Sequence, residues 1–151
     1  MTLEISETVL RQIHRHGEKA YPEEGAGLLL GQSIGSRRRV EAILILPNSG
    51  GTGERHNRYV LSPQDYMQGE DEADRRGLVV LGVFHSHPDH PNRPSEFDLQ
   101  WASWPGFSYL ITSVSVGRAI ESRAWRLRED REAFEEEPVE TVSTTETAEK
   151  Y

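Results

Sequence analysis

The strongest structural signal in the chain is the stretch Leu78-Val79-Val80-Leu81-Gly82-Val83-Phe84-His85-Ser86-His87-Pro88. Its apolar first half is typical of a buried β-strand, and it ends in two histidines spaced i, i+2. On an extended backbone this spacing places both imidazoles on one face. A buried strand holds nitrogen ligands rigidly, so the stretch predicts a core strand with a metal site at its end.

The segment that follows supplies a third candidate ligand. Ser95 is a suitable helix N-cap, and Asp98 lies three residues further along. Two imidazoles and a carboxylate form a three-ligand set that suits Zn²⁺ and leaves a fourth position for water. The alternative is that the histidines are only hydrogen-bonded and that Asp98 completes a capping box with Ser95. These residues alone leave both interpretations open.

Composition limits the class of protein. A chain of 151 residues is long enough for one domain with a sizeable core. It has no apolar run that could span a bilayer and no N-terminal signal-peptide pattern, so we expect a cytoplasmic protein without membrane association. The absence of cysteine excludes thiol nucleophiles, cysteine zinc sites and iron–sulfur clusters.

The negative charge is concentrated at the end of the chain. Residues 129–151 contain nine acidic and two basic residues, and hydrophobic residues are scarce after Phe134. Such a segment buries too little surface to offset the entropy of ordering, which predicts a disordered acidic tail at 129–151 after a domain at 1–128. No basic stripe is present, so nucleic-acid binding is not expected.

Hydrophobic periodicity and turn residues predict a mixed α/β or α+β domain. Ser6 is a plausible N-cap and Gly17 a stop for the first helix, and Ser62-Pro63 opens a second helix that ends at Gly77. The stretch at 47–57 is predicted as a flexible loop, 58–61 as a short strand and the segment from 95 as a helix. Further strands are predicted at 26–31, 40–46, 78–84, 107–116 and 119–127.

The histidine segment carries a family resemblance. His85-x-His87-Pro88, followed after six residues by Ser95-x-x-Asp98, resembles the JAMM motif of the MPN+ zinc metalloproteases. The likeness runs from about residue 22 to residue 127, and the residues of the histidine segment are most similar to those of small stand-alone bacterial members. It implies a single MPN/JAMM domain in which helices flank a central mixed β-sheet, in a cytidine-deaminase-like layout.

An upstream segment matches the same family. Glu24-x-x-Gly27-Leu28-x-Leu30-Gly31 is similar to the family's glutamate segment, although the sequence itself gives no contact between Glu24 and the histidines. The resemblance implies that Glu24 is the general acid/base, which takes a proton from water and passes it to the leaving amine.

The remaining roles also follow from the resemblance. It implies that His85, His87 and Asp98 bind one Zn²⁺ per chain, with water at the fourth position. Ser95 would donate a hydrogen bond to the developing oxyanion or to the water. The implied activity is that of a peptidase or isopeptidase acting at the C-terminal Gly-Gly tail of a ubiquitin-like protein of the sulfur-carrier type. The sequence leaves open which carrier is cut and which oligomeric state the protein has.

Three other interpretations of the same residues compete with this one. His85-x-His87-x-Asp89-His90 also spells the metallo-β-lactamase signature, but no histidine follows His90 to complete that site. A zinc nucleobase deaminase would need cysteine ligands, which the chain lacks. A catalytically inactive MPN-like module that binds a ubiquitin-like partner is the remaining alternative, although such modules typically lose ligands that are all present here.

The other histidines and the tryptophans are not assigned to the site. His90 is predicted to lie in a loop near it, and Trp104 is a candidate for lining a groove. The remaining side chains of these types are predicted to lie on the surface, in a helix or in the core: His14, His16, His56, Trp101 and Trp125.

Overall fold

A computed structural model of the chain describes residues 2–46, 62–95 and 106–143. Within these residues the chain forms two helices, α1 (Glu7–Ala20) and α2 (Pro63–Arg75), and one eight-stranded sheet. Neither described helix combines the length and the apolar character that crossing a bilayer requires. The strands are β1 (Thr2–Ser6), β2 (Ala26–Ile34), β3 (Arg37–Leu46), β4 (Val79–Pro88), β5 (Ser108–Ser115), β6 (Arg118–Leu127), β7 (Phe134–Glu137) and β8 (Val139–Val142).

The strand order across the sheet is β7-β6-β5-β4-β2-β3-β1-β8. β4 runs parallel to β5, and β1 runs parallel to both β3 and β8, whereas the other neighbours are antiparallel. The predicted mixed sheet with helices is therefore confirmed. β4 lies near the middle of the sheet and continues to Pro88, so both histidines are part of the strand.

The two faces of the sheet pack against different helices. Side chains alternate along β2, so Leu29 packs with Ile13 of α1 and Leu28 packs with Ala73 of α2. All four side chains are at most 2% exposed. The central strands are therefore buried on both faces, and their ends are held rigidly.

The start of α1 is as predicted, but its end is not. The Ser6 hydroxyl accepts a hydrogen bond from the Val9 amide (3.1 Å), which is the expected N-cap. The helix does not stop at Gly17, however, and continues to Ala20. A Cβ at Gly17 would lie only 3.2 Å from the Cβ of Ser86, so this glycine allows close helix–strand packing and does not act as a stop.

The second predicted helix is confirmed. Ser62 and Asp65 form a reciprocal capping box, in which the Asp65 amide donates to Ser62 Oγ (3.1 Å) and the Ser62 amide donates to Asp65 Oδ2 (3.2 Å). Gly77 follows the helix with φ of +70°, a conformation that favours glycine. The helix end therefore leads directly into β4.

The prediction of a disordered tail from Glu129 is wrong for the residues that the structure describes. β7 adds to one edge of the sheet beside β6, and β8 adds to the opposite edge beside β1. Only Pro138 separates these two strands, and its carbonyl accepts a hydrogen bond from the Leu3 amide (2.9 Å). The sheet must therefore curl until its two edges approach each other at Pro138.

Specific contacts stabilise this segment despite its acidic composition. Phe134 packs into the α2-side core, the hydrophobic cluster that includes Leu28, Ala73 and Tyr109, and Glu137 is only 2% exposed. The Ser108 hydroxyl donates to Glu137 Oε1 (2.6 Å), and Arg37 forms an ion pair with Glu140 (2.6 Å). Composition alone predicted disorder because it does not show that distant strands supply these partners.

One further difference concerns the first residues of the chain. β1 was not predicted, although the alternation of Leu3 and Ile5 in this segment is typical of a strand. The predicted loop at 47–57, the short strand at 58–61 and the body of the helix from 95 lie outside the described residues and remain predictions.

Candidate metal centre

β4 delivers both histidines to one site. Because side chains alternate, His85 and His87 lie on the same face as Val83, whereas Ser86 lies on the face that α1 covers. The two imidazole centroids are 5.0 Å apart. His85 is 6% exposed and His87 is 7% exposed, so the pair is buried and not a solvated strand end. The predicted shared orientation is confirmed.

Glu24 lies against the first histidine. Its carboxylate Oε1 is 2.7 Å from His85 Nδ1, and the residue is 1% exposed. The register explains this contact, because Ala26 of β2 pairs with His85 of β4 and Glu24 precedes Ala26 by two residues. The structure therefore supplies the spatial link that the sequence alone did not give.

A pair of hydrogen bonds fixes the backbone next to Glu24. The Gly25 amide donates to Ser86 Oγ (2.8 Å), and the Ser86 amide donates to the Gly25 carbonyl (2.9 Å). Ser86 lies between the two histidines and is 3% exposed. The loop that carries Glu24 is thus bonded directly to the strand that carries the imidazoles.

The second histidine has a different partner. His87 Nδ1 donates to the carbonyl of Pro91 (2.8 Å), whereas His85 Nδ1 donates to the Glu24 carboxylate. A neutral imidazole that donates through Nδ1 keeps an unprotonated Nε2, which is the usual metal ligand. Both rings are therefore held in the tautomer that a metal site needs.

The donor set fits a zinc ion. One ligand atom each from Glu24, His85 and His87 lies within 4.8 Å of the other two, and all three residues are buried. Imidazole nitrogens are common zinc ligands, so His85 and His87 are the candidate ligands here, and Glu24 lies beside them. A buried carboxylate also needs a compensating cation or several donors, and a divalent ion would supply that charge.

The other predicted site residues have separate outcomes. Ser95 is exposed at the end of a described segment, whereas Asp98 lies outside the described residues. Their roles therefore stay predictions. His90 is exposed in the loop after β4, as expected.

The described residues among those not assigned to the site have contacts elsewhere in the fold. His14 and His16 lie on α1, where burial lowers the pKa of each imidazole. His14 Nε2 lies 2.9 Å from Ser122 Oγ, and His16 packs edge-on against Phe84. Trp125 is half-buried against the α2-side core, whereas Trp101, Trp104 and His56 lie outside the described residues.

Sequence reasoning missed the residues that support the loop after β4. The Tyr21 hydroxyl donates to Asp89 Oδ2 (2.6 Å) and holds the pKa of that carboxyl below its usual value. Asn92, at the other end of the loop, is 7% exposed. The only sequence signal for these residues was the position of Asp89 directly after the histidine-proline segment.

Comparison with known proteins identifies relatives over most of the chain. The family model described as prokaryotic homologues of the JAB domain matches residues 6–128. The chain is 31% identical over 120 residues to a probable TtuB-protein conjugate cleaving protease of Thermus thermophilus, covering 80% of this chain and 76% of the relative. It is 35% identical over 111 residues to a desampylase of Haloferax volcanii, covering 74% of this chain and 76% of the relative.

Solved structures show the same architecture. The solution structure of protein DSY2949 from Desulfitobacterium hafniense superposes with a TM-score of 0.82 and 27% sequence identity. The match covers 93% of each chain. The arrangement of strands and helices described above is therefore shared along nearly the whole length of both proteins.

Proposed function

Because the chain belongs to the family of prokaryotic JAB-domain proteins, we propose that it is a zinc-dependent peptidase or isopeptidase acting on a ubiquitin-like protein. Two relatives are named for this kind of reaction, one as a conjugate-cleaving protease and one as a desampylase. The observation that carries the proposal is the buried contact between Glu24 and His85 beside His87. It brings an acid/base group and two candidate ligands to one place.

The ligands in this proposal are His85, His87 and Asp98, which would hold one Zn²⁺ per chain. When bound, Zn²⁺ would activate a water molecule and polarise the scissile carbonyl. The chain's own contribution is to hold the two imidazoles through Nδ1, which makes Nε2 the nitrogen that would bind the metal. Their burial in the sheet keeps this arrangement rigid.

Glu24 is the proposed general acid/base. The carboxylate would take a proton from water and then deliver it to the amine that leaves. The two hydrogen bonds between Gly25 and Ser86 restrain the backbone next to Glu24, which favours a fixed position of the carboxylate. Ser95 would donate a hydrogen bond to the oxygen that gains negative charge.

The proposed substrate is a ubiquitin-like protein of the sulfur-carrier type. An extended Gly-Gly tail has no side chains, so it fits a narrow channel and can add beside a strand edge. The bond to be cut would follow the second glycine, whether it joins the tail to a peptide amine or to a lysine side chain.

The experiment that tests this proposal is cleavage of a ubiquitin-like protein joined through its Gly-Gly tail to a reporter. We expect cleavage after the second glycine, loss of cleavage after treatment with a zinc chelator, and recovery when Zn²⁺ is added back. A substrate with Ala-Ala in place of Gly-Gly is the matched control and should be cut much more slowly. Chelator-resistant cleavage would refute the zinc mechanism, and zinc-loaded protein that binds the substrate without cutting it would indicate a binding module.

A further inference from the structure

We infer that Asp89 and Asn92 are positioning residues for His87: they hold the Pro91 carbonyl against His87 Nδ1 and thereby fix the tautomer of the ring. Neither residue belongs to the proposed ligand set. The inference rests on the proposed function only in assigning His87 to a metal, because the tautomer itself is a property of the metal-free protein.

The first anchor of the loop is Asp89, directly after β4. Its amide donates to the Val114 carbonyl (2.7 Å), its Oδ1 accepts from the Val116 amide (2.8 Å) and its Oδ2 accepts from the Tyr21 hydroxyl (2.6 Å). The three partners come from β5, from the turn after it and from the end of α1. Asp89 and Val116 both have positive φ, 56° and 49°, a conformation that non-glycine residues adopt only when surrounding bonds stabilise it.

The second anchor is Asn92, which is 7% exposed. Its Nδ2 donates to the backbone carbonyl of Glu121 (3.2 Å) and to the Glu121 carboxylate (3.0 Å). Its own carbonyl accepts from the indole Nε1 of Trp125 (3.0 Å). These partners lie on β6, so the far end of the loop is bonded to the sheet as well.

Pro91 lies between the two anchors, and its carbonyl is 2.8 Å from His87 Nδ1. A carbonyl can only accept a hydrogen bond, so this contact requires the proton on Nδ1. Only four residues span the loop from Asp89 to Asn92, and both ends are bonded to other elements. The carbonyl therefore has little freedom to leave the ring, and Nε2 stays unprotonated.

The two anchors differ in strength. The Tyr21–Asp89 bond lies at the exposed surface, where water competes for both groups. The Trp125–Asn92 bond is partly buried, so an unpaired Asn92 carbonyl would cost more. We therefore expect Trp125→Phe to disturb His87 more than Tyr21→Phe, although each substitution removes one donor and keeps an aromatic ring.

The test is nitrogen-15 NMR of the imidazole rings in the metal-free protein at about pH 8.5, roughly two units above the reference pKa of histidine. We expect the Nδ1–H tautomer for His87 in the wild type and a mixture of tautomers in the Trp125→Phe, Tyr21→Phe double variant. Zn²⁺ competition with a chelator should show affinity weakened about 10-fold, within the roughly 10- to 100-fold range for lost partners of ligating histidines. If the double variant does not fold, the two single variants carry the test, and the larger shift in tautomer is expected for Trp125→Phe.

The control is Tyr66→Phe, which removes a hydroxyl from α2. Tyr66 contacts Phe107 just before β5, whereas His87 pairs with Ser113 near the end of that strand, so the control should leave the tautomer and the affinity unchanged. An Nε2–H tautomer in the wild type, or an unchanged tautomer in the folded variants, would overturn the inference. A wild type that binds no Zn²⁺ but shows the Nδ1–H tautomer and its loss in the variants would contradict the proposed function and support the inference.

Discussion

Glu24→Gln is expected to keep zinc bound and to lower kcat about 10³-fold, within the roughly 10²- to 10⁴-fold range for general acid–base catalysis. Glutamine has the same shape and can still accept the hydrogen bond from His85 Nδ1, which is 2.7 Å from the present carboxylate. It cannot take up a proton. The variant should therefore retain the site but not the proton transfer.

The measurement is single-turnover cleavage together with metal content. Glu23→Gln makes the same chemical change one residue earlier, at a position that is not buried as Glu24 is, and should leave kcat unchanged. A Glu24→Gln variant that retained most of the wild-type turnover would remove Glu24 from the mechanism. Loss of zinc together with activity would instead make Glu24 a ligand.

Truncation after Arg128 is expected to lower the free energy of unfolding by about 3 kcal/mol or more, because it removes buried apolar contacts and exposes two sheet edges. Phe134 leaves the α2-side core, and Val139 leaves the cluster on the other face of the sheet that includes Ile5 and Ile13. Glu137 no longer accepts the hydrogen bond from Ser108. The newly exposed edges of β6 and β1 should also promote aggregation.

Urea denaturation of the truncated chain and the wild type measures this effect. A chain shortened only after Ser143 is the matched control, because it keeps both β7 and β8, and it should unfold like the wild type. Equal stability of all three chains would show that the acidic segment contributes nothing to the fold.

Local signals predicted the elements that form the centre of the sheet. The apolar run before His85 predicted β4, and the N-cap residues Ser6 and Ser62 predicted the starts of both helices. The edge strands could not be predicted in the same way. β7 and β8 contain few apolar residues, and they are stabilised by side chains from strands that are distant in sequence, such as Ser108 and Arg37. Composition carries no information about such partners.

The candidate metal centre, like the fold, was predictable only in part from the sequence. From strand geometry alone, the spacing of His85 and His87 predicted that both imidazoles lie on one face of the strand. The position of Glu24 beside them followed only from the family resemblance. The anchors at Asp89 and Asn92 were not predictable, because their side-chain partners and the Trp125 donor lie 27 or more residues away in the sequence. Long-range hydrogen bonds of this kind appear only once the strand order is known.

The most direct test of the proposed zinc site is the zinc content per chain, measured by elemental mass spectrometry for the wild type and for His87→Ala. A site with three protein ligands predicts about one zinc per wild-type chain and almost none in the variant, since loss of one ligand opens the site. A wild-type chain that binds no zinc even after reconstitution would contradict the proposed zinc site and leave a metal-free binding module as the explanation of the motif.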